Sequence, residues 1–124
     1  MRIHILVADD DPRIRELLRL VLSKEGYVVL EAEDGEAASR LLETGQAHLA
    51  VVDVMMPSKD GLELCREIRE HYDIPVILLT ARGEIADKET GYEAGTGAYL
   101  VKPFDPKELL FRIKALLRRY RLPS

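Results

Sequence analysis

Two hydrophobic patterns take turns along this chain. Short, largely apolar runs at residues 3–8, 28–30, 49–54, 76–80 and 98–101 read as strands, and each is followed by apolar residues recurring at helical spacing. The central run, residues 49–57, is apolar on both alternating positions and holds a single carboxylate, Asp53, before it stops at Pro57. A strand apolar on both faces is buried on both faces. An unpaired carboxylate inside it would be costly, so Asp53 is expected at the strand's carboxyl end, where the chain surfaces.

The helical segments carry their own punctuation. Ile14, Leu17, Leu18, Val21 and Leu22 form the first stripe, with Asp11 as N-cap, Pro12 at the first helical position and Gly26 closing the helix. Ala37, Ala38, Leu41 and Leu42 form the second, ending at Gly45, and Leu64, Cys65 and Ile68 the third, running to about His71. Residues 84–94 are the weakest helix, with Thr90 and Gly91 inside and only Ile85, Ala86, Tyr92 and Ala94 as apolar cover, and this element is expected to move. Asp105-Pro106 caps a strong last helix with Leu109, Leu110, Ile113, Leu116 and Leu117 inward.

Five strands alternating with five helices predict an α/β fold, a doubly wound parallel sheet with helices on both faces. The 124 residues, 47% hydrophobic, make one domain with a real core. A formal charge of −4 argues against this segment gripping nucleic acid by itself, and Arg118, Arg119 and Arg121 read as cations complementing a helix C-terminus. Cys65 is the single cysteine, so there is no internal disulfide, and it reads as core. No apolar run is long enough for a bilayer, and no leader-like run precedes Asp9, so a soluble cytoplasmic protein is expected. His4, His48 and His71 fall in unrelated places and read as surface or rim residues.

In a parallel sheet all carboxyl ends share one edge, and chemistry gathers there. Asp9 and Asp10, Asp53, Thr80 and Lys102 end strands one, three, four and five. Taken singly, each has a structural explanation as a cap, a strand end or a solvated cation. Their joint placement points to a site. Clustered carboxylates repel by about 4 kcal/mol per pair at an effective dielectric near 20. Lys102 offsets part of that, and a hard cation would offset the rest; an oxygen-only set points to Mg²⁺. A carboxylate in that setting can attack a phosphoryl group, and a nearby threonine can sense the added oxygens.

With these residues in place the sequence resembles, over essentially its whole length, the receiver domain of bacterial two-component response regulators. The resemblance rests on Asp9-Asp10, on Asp53 with Pro57 and Gly61, on Thr80-Ala81, and on Tyr99 with Lys102-Pro103-Phe104. It implies a flavodoxin-like sheet of strand order 2-1-3-4-5. It also implies that Asp53 takes a phosphoryl group from a sensor histidine kinase, acting as a switch with at most slow self-phosphorylation and autodephosphorylation. Asp10, Asp53 and the Met55 carbonyl would ligate Mg²⁺, with Asp9 acting through water. Lys102 would contact the phosphoryl group, Thr80 and Tyr99 would form the switch pair, and the Lys102-Pro103 bond would be cis.

Met55-Met56-Pro57, Thr80-Ala81-Arg82 and Lys107-Glu108-Leu109 are most similar to regulators with a winged-helix DNA-binding domain. No such domain lies in these residues, so DNA contact would require an output domain outside them. Those regulators pair through the fourth helix, fifth strand and fifth helix. Here Lys88 with Glu108 matches one cross-interface ion pair, and Glu93 with Arg119 could supply another. Gly97 and Ala98 stand where the subgroup has two acids, which leaves Arg112 without its partner. Phe111 beside Tyr92 is expected to offer an apolar contact instead.

Two other functions fit less well. A phosphohydrolase of the haloacid-dehalogenase type wants an Asp two residues after its nucleophile, and Met55 stands there. A dinucleotide-binding module wants G-x-G-x-x-G after strand one, which is absent.

Overall fold

A computed structural model describes residues 2–81, 98–120 and 122 of the chain. The strands are β1 (His4–Ala8), β2 (Val28–Ala32), β3 (Leu49–Asp53), β4 (Val76–Ala81) and β5 (Ala98–Lys102). The helices are α1 (Pro12–Lys24), α2 (Gly35–Glu43), α3 (Gly61–His71) and a C-terminal helix (Pro106–Arg119). The helix predicted over residues 84–94 lies outside the described residues, as do Lys88, Tyr92, Glu93 and Gly97.

All strand pairs are parallel, in the order β2-β1-β3-β4-β5. Strand alternation sorts the apolar side chains into two cores. Ile5, Val7, Leu49, Val51, Ile77, Leu79 and Leu100 pack against Leu18 and Leu22 of α1 and Leu109, Ile113, Leu116 and Leu117 of the C-terminal helix. Leu6, Ala8, Ala50, Val52 and Leu78 pack against Ala38 and Leu42 of α2 and Leu64, Cys65 and Ile68 of α3. Every residue of β3 is buried, whereas the edge strands β2 and β5 are mostly half-exposed.

The predicted caps form. Asp11 Oδ1 accepts from the Arg13 N–H at 2.9 Å, with Pro12 opening α1. At the other end Gly26 adopts φ +91°, letting its N–H reach Ser23 O and the Tyr27 N–H reach Leu22 O. That paired closure is the Schellman arrangement, in which a left-handed residue is needed and glycine fits without strain. The α1 stripe is narrower than predicted: Leu17 remains 39% exposed, because it lies about 100° around the helix from Leu18.

Two further expectations change. β2 runs to Ala32, two residues past its predicted end, because an edge strand can carry Glu31 outward, where Arg15 and Arg19 pair with it. His4 and His48, expected to be unrelated, meet at the amino end of the sheet. The His4 N–H donates to His48 Nδ1 at 2.9 Å and the His48 N–H to His4 O at 2.8 Å, where β1 and β3 begin side by side.

Candidate functional site

Three strand ends and one turn build the site at the carboxyl edge. Asp9 follows β1 and is fully buried; Asp53 closes β3 and is only 6% exposed, so it does not surface as the sequence suggested. Asp10 is exposed beside them. One carboxylate oxygen from each of the three lies within 4.8 Å of the others. Lys102, the last residue of β5, crosses the edge to meet two of them. Its Nζ donates to Asp9 Oδ2 at 2.9 Å and lies 3.4 Å from Asp53 Oδ1.

Strand alternation explains this meeting. Asp9 continues the series Ile5–Val7, Asp53 continues Leu49–Val51, and Lys102 continues from Leu100, all on the sheet face covered by α1 and the C-terminal helix. Backbone groups fix the acids further. The Asp11 N–H donates to Asp9 Oδ1 at 2.9 Å, and the Met55 N–H approaches Asp53 Oδ1 at 3.4 Å. Arg15 donates from α1 to the Asp9 carbonyl at 2.7 Å. Arg15 escaped the sequence reading; the signal available was a cation one helical turn beyond the acidic triplet.

Charge at this edge is unbalanced, with three carboxylates facing one ammonium. Burial, and then the negative charge of Asp9, push the Asp53 carboxyl up to about 6, against the pull of Lys102. Burial works against the charged form of Lys102, but its bond to Asp9 and the charge of Asp53 outweigh that and raise its pKa. An oxygen-only cluster carrying this excess negative charge suits a hard divalent cation of the Mg²⁺ kind.

Thr80 and Tyr99 belong to the other sheet face, in series with Leu78. Thr80 is 2% exposed and its hydroxyl has no hydrogen-bond partner among the described residues. Leaving such a group unsatisfied costs about 1–3 kcal/mol. Thr80, Tyr99, Phe104, Glu108 and Arg112 line a cavity of about 310 Å³. Phe111 is 66% exposed, and Arg119 is exposed in the last turn of the C-terminal helix. The Lys102-Pro103 peptide bond is cis.

Gly61 positions the turn after Asp53. A Cβ there would lie 2.3 Å from the Asp53 carbonyl oxygen and 2.7 Å from Val54 Cα, so only glycine lets α3 begin this close to the end of β3. Asp60 caps that helix by accepting from the Glu63 N–H at 2.9 Å.

The family profile of the response regulator receiver domain matches residues 5–114. The chain belongs to that family. Its sequence is 53% identical to transcriptional regulatory protein ResD of Bacillus subtilis over 116 residues, which are 93% of this chain and 48% of ResD. It is 48% identical over 122 residues to the heme response regulator HssR of Staphylococcus aureus, covering 98% of this chain and 54% of HssR. The receiver thus spans about half the length of these relatives. Among solved structures, a putative response regulator from Chloroflexus aurantiacus superposes with a TM-score of 0.90 at 39% identity, covering 96% of this chain and all of that one. Chemotaxis protein CheY4 of Vibrio cholerae gives 0.88 at 30%, over 94% of this receiver and all of CheY4. Receiver domains act as phosphoacceptor switches in two-component signalling and bind Mg²⁺ at an acidic pocket, and the aspartate cluster of this receiver provides such a pocket.

Proposed function

We propose that this receiver is a phosphorylation-activated switch in which Asp53 accepts a phosphoryl group from the phosphohistidine of a sensor histidine kinase. The observation that carries the reading is the meeting of Asp53 with Asp9, Asp10 and Lys102 at one sheet edge. An Asp53 carboxylate oxygen forms the new P–O bond as the P–N bond breaks, the electron pair stays on the departing imidazole nitrogen, and the ring takes a proton from solvent. Asp10, Asp53 and the Met55 carbonyl would hold Mg²⁺, with Asp9 acting through water. When bound, the ion supplies the positive charge that lets an anionic phosphoryl group approach three carboxylates.

Lys102 then contacts the phosphoryl oxygens, exchanging part of its hold on Asp53 for them. Thr80 turns its orphaned hydroxyl toward the same oxygens, and Tyr99 moves into the space behind it. The new hydrogen bonds provide the differential contact that any shift of conformation requires. Absence of a carboxylate at Met55 supports a slow switch over a hydrolase with turnover.

Incubation with Mg²⁺ and acetyl phosphate, followed by intact-mass measurement, tests the reading. One added phosphoryl group is expected, and none in excess chelator. Thr80→Val should take up phosphate equally, while the amide shifts of residues 98–119 that follow phosphorylation in the wild type disappear. Undiminished labelling in chelator, or equal shifts in Thr80→Val, would refute the metal dependence or the switch.

The output is read as transcriptional, in the cytoplasm, through a DNA-binding domain outside these residues; the similarity to ResD supports this. Homodimerisation on phosphorylation is proposed through the face carrying Glu108, Phe111, Arg112 and Arg119, which Lys88, Tyr92 and Glu93 would complete. The exposed Phe111 ring supports it, since burying an aromatic contributes roughly 1.5–3 kcal/mol and an exposed ion pair about 0–1. Sedimentation of phosphorylated protein should show weak association that depends less on salt than in the similar winged-helix regulators and that Phe111→Asp abolishes; a strict monomer, or an unchanged dimer in Phe111→Asp, would rule the face out.

A further inference from the structure

The turn between β3 and α3 is held from a side remote from the acids. Ser58 adopts φ +66°, a left-handed conformation unusual for a residue with a side chain, and the Lys59 N–H closes onto Pro57 O at 2.9 Å. This tight turn aims Lys59 across the gap between α2 and α3. There Lys59 Nζ donates to Ser39 Oγ at 2.9 Å and forms an ion pair with Glu67, while Ser39 Oγ donates to Glu67 Oε1 at 3.1 Å. Ser39 is buried, and the Lys59 and Glu67 side chains are each 23% exposed. The backbone of Lys59 is seated as well, because a Cβ on Gly35 would lie 2.1 Å from the Lys59 carbonyl oxygen.

The residues between Asp53 and Gly61 are therefore anchored at both ends. Near the strand, the Gly61 N–H donates to Val54 O at 2.9 Å. At the far end, the Lys59 side chain ties the turn to both neighbouring helices. Met55 and its backbone lie between the anchors, beside Asp53.

We propose that Lys59 is a positioning residue for phosphoryl acceptance: tethered by Ser39 and Glu67, it fixes the turn carrying Met55 and thereby sets the Mg²⁺ affinity of the site. The inference rests on the reading that Mg²⁺ and a phosphoryl group bind at Asp53. Groups that orient metal ligands from outside typically change affinity by 10–100-fold when removed. Glu67 belongs to α3 and Ser39 to α2, so the tether also makes the metal site sensitive to the spacing of those helices.

The test compares wild type, Lys59→Met, Ser39→Ala and the charge exchange Lys59→Glu with Glu67→Lys. Mg²⁺ affinity is read by titration calorimetry, acetyl phosphate labelling rate at low and saturating Mg²⁺, and unfolding in chelator. Lys59→Met should raise the Mg²⁺ Kd about tenfold, slow labelling by a similar factor at low Mg²⁺, and leave the rate at saturating Mg²⁺ within about twofold of wild type. Ser39→Ala, a milder change, should shift Kd in the same direction by less. The charge exchange should return Kd toward the wild-type value. A Lys59→Met protein with lowered stability but wild-type Kd, or a charge exchange with no recovery, would overturn the tether. Wild-type protein that binds no Mg²⁺ or takes no phosphate would overturn the reading of Asp53 and the tether with it.

Discussion

Asp53→Asn is expected to make the metal-free protein more stable at pH 7 while abolishing phosphoryl acceptance. The Asp53 carboxyl is raised from 3.8 to about 6, chiefly by burial. At about 1.4 kcal/mol per pKa unit, holding it ionised costs the folded state about 3 kcal/mol. The sign follows from proton binding. Between the two pKa values the folded protein holds this proton more tightly than the unfolded chain, so the penalty is absent below about pH 4, grows as pH rises to about 6, and is complete above it. Urea unfolding in chelator should give equal stabilities for variant and wild type near pH 4 and a gap of up to about 3 kcal/mol above pH 6.5. Mg²⁺ should then stabilise the wild type and close the gap, because a ligand of the folded state alone adds stability as the logarithm of one plus the ratio of its concentration to its Kd. A variant less stable than wild type at pH 7 in chelator, or one still labelled at a single stoichiometric site, would contradict this account.

Lys102→Met should have the opposite effect on stability. Methionine keeps the apolar stem and removes only the ammonium that joins Asp9 to Asp53. Asp9 is fully buried, so its carboxylate would be left without its cation. Removing one partner of a buried pair destabilises by about 3–5 kcal/mol, because the remaining charge is uncompensated. The Asp53 pKa should rise further, since Lys102 holds it down more than the Met55 N–H does. Unfolding in chelator reads the loss, and added Mg²⁺ should restore part of it by supplying charge at the same carboxylates. The half-exposed pair between Lys114 and Glu25 is the internal control: Lys114→Met should cost no more than about 1 kcal/mol. Equal losses in the two variants would mean that Lys102 does not compensate a buried charge.

Much of this is legible in the sequence. Asp11 with Pro12 opens α1 and Gly26 closes it as read, because caps are local chemistry that a few adjacent residues decide. The inward positions of α3 and of the C-terminal helix follow from helical spacing, and Cys65 is buried as its stripe requires. Asp9, Asp10, Asp53 and Lys102 meet as the sequence predicts because a parallel sheet has a single carboxyl edge, so strand ends identified one by one must converge there.

Other features depend on residues far apart in sequence. Leu17 and Leu18 are both apolar, and only the packing of α1 on the sheet, beside the C-terminal helix, decides which is covered. The histidines looked unrelated because 44 positions separate His4 from His48; the register of β1 beside β3 joins them. Lys59, Ser39 and Glu67 each resemble an ordinary helix-surface or loop residue in one dimension.

By itself, the sequence determined the periodicity of each element, its caps, the parallel α/β architecture and the set of residues at the carboxyl edge, since these depend on local sterics and on alternation along one strand. Only the tertiary structure decided how deeply Asp53 is buried, that Lys102 spans Asp9 and Asp53, that the Thr80 hydroxyl finds no partner among the described residues, and that Lys59 ties the turn to two helices. Desolvation and charge pairing depend on which atoms from distant segments surround a group, and that is a property of the assembled packing.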